Sequence, residues 1–167
     1  MMEAPALFLG IHRAGLADGR IGFPELFYRT VYPERTVVLT VKNNHLIGYR
    51  TAIWRLLRQS LETLYVSPEE QPPAVAGLLE HATECRIMTL SESAASCGDP
   101  LPDRFGHSRV VEVPPAMILA AELTFMVVLP GLGHHFEIWS QRNWQRVKNR
   151  VPYSTLKGPS NPPDIPA

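Results

Sequence analysis

Thirteen of the sixteen basic residues are arginine. A guanidinium is a planar fork of donors and suits phosphate or carboxylate oxygens better than a lysine ammonium does. That bias fits contacts with oxyanions, and it equally fits a genome rich in G and C. His134-His135 followed by Glu137 carries atoms that bind metals. On a strand His135 and Glu137 would share one face and His134 the other. No third ligand stands at a useful spacing, so no metal site is expected. Cys85 and Cys97 make neither a disulfide framework nor a zinc spacing, and Cys85 reads as an ordinary buried cysteine in a strand. The chain has no glycine-rich phosphate loop, nucleophile elbow or His-Glu zinc helix, and its carboxylates are scattered. No enzyme, cofactor or small-molecule substrate is expected.

The 167 residues suffice for one ordinary domain or two small ones. With 45% apolar and 19% charged residues, the composition is that of a soluble globular protein. Sixteen basic and sixteen acidic residues cancel, so no global field steers the chain toward nucleic acid or an anionic membrane. Apolar runs such as Met117–Ala121 and Phe125–Leu129 are too short to span a bilayer. Met-Met-Glu-Ala-Pro lacks the basic and apolar regions of a signal peptide, so a cytoplasmic location is expected.

Sliding the sequence against itself reveals the organisation. Shifted by 90 residues without gaps, Pro24 meets Pro114 and Val37-Val38-Leu39 meets Val127-Val128-Leu129. His45 meets His135, Tyr49 meets Trp139, Trp54 meets Trp144 and Arg58 meets Lys148. Matches in this order indicate two homologous halves. Each half reads as a short strand (Ile21–Phe23; Val110–Val113) and a helix headed by proline (Pro24–Thr30; Pro114–Glu122). A β-branched strand (Thr36–Val41; Thr124–Leu129) and a tight turn (Lys42-Asn43-Asn44; Pro130-Gly131-Leu132-Gly133) follow. A return strand (His45–Tyr49; His135–Trp139) leads to a closing helix. In the first closing helix Thr51 is the expected N-cap, and Ile53, Leu56, Leu57, Leu61 and Leu64 form the apolar stripe. In the second, Ser140 is the cap, with Trp144, Val147 and Val151 as the stripe. Trp54 and Trp144 are expected as core anchors or subunit contacts.

Between the halves, Ser67-Pro68-Glu69-Glu70 starts a capping box that Pro72-Pro73 interrupts. A helical stretch over Ala74–His81 and a strand over Thr83–Leu90 follow. Ser91–Phe105 reads as a long loop. The expected units are a first repeat over 6–66, a helical connection over 67–82, a second repeat over 83–150 and a disordered proline-rich tail over 151–167.

These pieces resemble the MraZ family, bacterial transcription regulators built from two AbrB-like units. The resemblance runs from about Phe8 to Val147. It rests on Phe8-Leu9-Gly10-Ile11-His12, Gly19-Arg20-Ile21-Gly22-Phe23-Pro24, Leu79–Cys85, Val113-Pro114-Pro115-Ala116 and Gly131–Trp139. It implies an α+β fold of two AbrB-like, swapped-hairpin repeats related by a pseudo-two-fold. It also implies a ring-shaped homo-oligomer, nucleoid-associated, that binds direct repeats in double-stranded DNA and represses the division and cell-wall gene cluster.

The family carries an Asp-x-x-x-Arg signature ahead of each proline-headed helix. Such an ion pair holds a turn while arginine meets phosphate or a guanine edge. Arg20 sits at the arginine position, but Leu16 stands four residues before it and Asp18 replaces a basic residue. In the second half Val110 occupies the arginine position and Arg109 is one residue away, a slip that turns a strand side chain to the other face. Arg20 and Arg109 are therefore the carried-over DNA contacts. His12, Arg13 and Arg104 are expected near the same surface, and the basic face of the last helix (Arg142, Arg146, Lys148, Arg150) reads as solvated. A rival reading stays open: a diverged interaction protein that keeps the fold, does not bind DNA and co-assembles with an intact relative.

Overall fold

The computed structural model describes residues 7–65, 67–89 and 107–150. The loop over 91–105, with Cys97 and Arg104, and the tail over 151–167 lie outside the described residues.

Eight antiparallel strands close into a barrel in the order β1-β2-β6-β5-β3-β4-β8-β7. They are β1 (Ile11–Ala17), β2 (Arg20–Phe23), β3 (Thr36–Lys42), β4 (His45–Arg50), β5 (Thr83–Thr89), β6 (Arg109–Glu112), β7 (Met126–Pro130) and β8 (His135–Ser140). Five α-helices accompany them: α1 (Glu25–Val31), α2 (Thr51–Leu64), α3 (Pro73–His81), α4 (Pro115–Ala120) and α5 (Gln141–Arg150). A single 3-10 turn spans Pro68–Glu70, where Pro72 and Pro73 separate it from α3. The fold class is thus α+β with one closed antiparallel sheet.

Period-2 alternation sends one set of side chains into the barrel. Phe8, Phe23, Phe27 and Phe136 meet there edge to face, with centroids 4.9–5.9 Å apart. Burying each such ring contributes roughly 1.5–3 kcal/mol. Gly48 makes room for them: a Cβ at that position would fall 2.2 Å from the Phe136 ring.

Strand β1 has no counterpart in the sequence reading. Only Ala14 is fully buried along it, Ile11 points outward and Gly15 interrupts the pattern, so its apolar alternation is weak. Thr51 is not the cap of α2. Arg50 occupies that position without a side-chain cap bond, and the Thr51 hydroxyl pairs with Thr36 Oγ1 at 3.0 Å. Ser140 does cap α5, accepting from the Asn143 amide at 3.0 Å. The α2 stripe is not buried as expected. Only Thr51 and Trp54, in the first turn, are buried, whereas Leu56 and Leu64 are 61% and 67% exposed. The helix rests on the barrel by its start and projects past it.

The pairing register repeats. Val37 pairs with Arg50, and 90 residues later Val127 pairs with Ser140. Ile21 pairs with Val111, and Ile47 with Glu137, so each of these residues faces the one 90 positions on. Leu16 pairs with Ile21 and Ile87 with Val111, which relates β1 to β5 by a shift of 71. The 19-residue difference between the two shifts falls in the connection between β5 and β6.

Candidate nucleic-acid interface

Strand β2 lies between β1 and β6, and the residues singled out from the sequence stand along these three strands. Asp18 and Gly19 turn the chain from β1 into β2 with φ of 52° and 75°. Asp-Gly suits a two-residue hairpin that needs positive φ at both positions. Arg20 follows directly. It is buried, 9% exposed, stands opposite Glu112, and its Nη1 donates to the Asp18 carbonyl at 3.3 Å. The guanidinium therefore folds back on the turn.

Arg109 stands at the other end of the same ladder, opposite Phe23. Three residues of strand separate the two arginines, about 10 Å. The Arg109 guanidinium forms an ion pair with Glu25 and lies over the Tyr28 ring, 3.7 Å from its centroid. Glu25 begins α1, where a carboxylate also complements the helix dipole. Arg29 approaches the same carboxylate at 3.9 Å. Arg109 is thus held by an anion and a π face of the chain itself.

His12 is half-buried on β1. Its Nε2 donates to the Leu9 carbonyl at 2.9 Å, and its ring meets Phe27 edge-on at 4.9 Å. Arg13 is exposed on the outer face, and its carbonyl accepts from His107 Nε2 at 2.8 Å. His107 also lies over Gly22, where an added Cβ would come within 3.2 Å of its ring. The sequence reading missed His107, which lies next to no motif. On α5, Arg142, Arg146 and Lys148 are exposed while Trp144 and Val147 are half-buried, the solvated face expected of that helix.

A second polar cluster lies on the outer face of β4 and β8. His45 is buried, stacks on Trp139 and has Nε2 3.4 Å from Glu137 Oε2. Trp139 Nε1 donates to the other Glu137 oxygen at 2.8 Å. Burial pushes the Glu137 carboxyl up, but His45, the Trp139 N–H and His135 together hold it below the usual carboxylate value. Burial lowers His135, helped by Lys42, His134 and His45 and opposed by Glu137. Tyr49 is raised by burial and by Glu137. As expected, Glu137 and His135 share a face. Among the described residues no group of three or more His, Cys, Asp or Glu could hold a metal ion. Cys85 is buried in β5, and burial pushes its thiol up to about 12. No helix of the described residues is long and apolar enough to cross a membrane.

No family model matches the chain. Individual relatives do. The transcriptional regulator MraZ of Roseiflexus castenholzii is 28% identical over 142 residues, 84% of this chain and 86% of the relative. That of Coxiella burnetii strain RSA 493 is 27% identical over 168 aligned positions, covering 95% and 97% of the two chains. That of Ligilactobacillus salivarius is 26% identical over 140, covering 83% and 85%. Three bacterial relatives of one name, each matched across most of both chains, place this chain in the MraZ family.

Proposed function

We propose that the chain is a DNA-binding transcription regulator that represses the division and cell-wall gene cluster through direct-repeat operator DNA. The observation that carries this reading is the end-to-end similarity to proteins named as transcriptional regulators. The register shift of 90 supports two AbrB-like repeats, over 6–66 and 83–150, with residues 67–82 as their connection. A homo-oligomeric ring would repeat one weak contact many times and gain strength by avidity. Arg20 and Arg109 lead the contact set. Arg13, exposed beside them, is the natural phosphate partner, and His12 and Arg104 complete it. The protein would act in the cytoplasm, on the nucleoid.

Fluorescence anisotropy with operator and scrambled duplexes at two salt concentrations tests the proposal. Binding should favour the operator and weaken steeply with salt, because neutralised phosphates release counterions. Equal binding of both duplexes at low salt rejects it.

Two placements favour a second reading, an interaction protein without DNA binding. Arg20 is folded onto its own turn, and Glu25 already neutralises Arg109. Such a protein would co-assemble with an intact relative. Native mass spectrometry of the mixture separates the readings: mixed assemblies support this one, and separate assemblies with operator binding support the first.

A further inference from the structure

The register shift of 90 extends past the barrel into the last residues of the chain. After α2 the chain runs through Gln71-Pro72-Pro73 into α3, with Val75 two residues further on. Ninety positions later, after α5, stand Asn161-Pro162-Pro163 and Ile165. The C-terminal residues 155–167 are thus the sequence counterpart of 65–77.

In the first half this segment has a defined seat. Helix α3 lies over the outer face of β3, and the Leu78 carbonyl accepts from the buried Thr40 hydroxyl at 2.7 Å. The same relation sends Thr40 to Pro130 on β7, and the β3–β5 junction to the β7–β1 junction. Gly15 pairs with Met126 as Arg86 pairs with Thr36, which satisfies both shifts, 71 for β1 to β5 and 90 for β3 to β7.

On that related surface there is no counterpart of α3 among the described residues, and apolar side chains are open. Phe8 bridges Gly133 and Ile11 pairs with Pro130, so between them Leu9 falls opposite Leu132. Leu9, Ile11 and Leu132 are 59%, 66% and 50% exposed. Adjacent open aliphatic side chains mark a contact surface.

We propose that the chain's own segment Pro162–Ala167 docks on the outer face of the β7–β1 junction, with Ile165 against Leu132 and Ile11, as α3 docks on β3. The inference rests on the repeated register and is independent of DNA binding. Consecutive prolines restrict the free segment, so ordering it costs little entropy. The occupant is the chain's own end rather than a second copy, because the counterpart α3 covers its surface within one chain.

The test is disulfide trapping in the full chain with Cys97→Ser, leaving the buried Cys85 in place. The pair Leu132→Cys and Ile165→Cys is compared with Leu119→Cys and Ile165→Cys, Leu119 being 79% exposed on α4. Docking within one chain gives the first pair a higher effective concentration, and its intrachain disulfide should form about tenfold faster under mild oxidation. Peptide mapping of the monomeric band identifies the bond. Equal rates for the two pairs overturn the proposal. A disulfide found only between chains also overturns it and assigns the surface to a second copy. The four cysteine positions lie on exposed side chains or in the tail, so folding is preserved in both variants.

Discussion

His45 lies flat on Trp139, with ring centroids 4.0 Å apart and planes 8° from parallel. Tyr49 and His135 make the related contact at 5.6 Å, so each half contributes one histidine and one aromatic ring to two stacks across the β4–β8 seam. The pairs are adjacent because Ile47 faces Glu137, which places His45 opposite Trp139 and Tyr49 opposite His135. Trp139 fills this seam, is 7% exposed, and also meets Trp144 of α5 at 6.2 Å. Trp139→Ala removes both contacts and leaves a void. It should cost about 3–5 kcal/mol in urea unfolding. A loss under 1 kcal/mol would show that the seam does not depend on this ring.

The same seam sets a pH dependence. His135 has a folded pKa below its ordinary value of 6.5, so the unfolded chain takes up a proton before the folded one does. Stability should therefore fall as pH drops below about 6.5. Glu137 is also lowered, from 4.5, and the stability it contributes above that value is lost on further acidification. Thermal melts from pH 8 to pH 4 should decline in these two windows. His135→Gln should flatten the upper one and leave the lower in place. A variant with an unchanged upper window would assign the decline to other groups.

Glu25 competes with phosphate for Arg109. The pair is half-exposed, and its loss should change stability little, since pairs of this kind are worth 0–1 kcal/mol. Its effect on anion binding should be larger, because Glu25→Gln frees a guanidinium that Tyr28 still orients. The variant should bind operator DNA several-fold more tightly, with a steeper salt slope. Arg109→Ala should cancel that gain in the double variant. If Glu25→Gln changes neither affinity nor slope, Arg109 is not a DNA contact.

The halves were legible because their large residues recur at one spacing: Trp54 with Trp144, His45 with His135, the valine pairs of β3 and β7. Strand β1 was not, since a strand whose inner face carries alanine and whose outer face carries isoleucine gives no amphipathic signal. The closing helix α2 showed helical spacing, but spacing does not say what covers a stripe, and Leu56 and Leu64 stay exposed. For the candidate site, the positions of Arg20 and Arg109 were readable while their partners were not. Glu25 and Tyr28 reach Arg109 only because α1 returns over the β2–β6 ladder, a contact 84 residues apart in sequence. His107 was invisible for the same reason, its partner Arg13 being 94 residues away.

Two glycines should respond in opposite ways to the same added methyl group. Gly48 lies on the inner face of β4 beneath Phe136, and a Cβ there would come 2.2–2.6 Å from three ring atoms. The ring is fully buried among Phe8, Phe23 and Phe27 and cannot move aside without displacing them. Gly48→Ala should therefore destabilise the barrel by about 2 kcal/mol or more. Gly77 stands inside α3 with nothing within 4 Å of an added Cβ. Alanine there restricts the unfolded chain and favours the helix, so Gly77→Ala should stabilise by roughly 0.5–1 kcal/mol. Urea unfolding of the two variants checks both signs. A neutral Gly48→Ala would mean that the phenylalanine cluster is looser than its ring spacings indicate, and a destabilising Gly77→Ala would mean that another group packs on that face of α3.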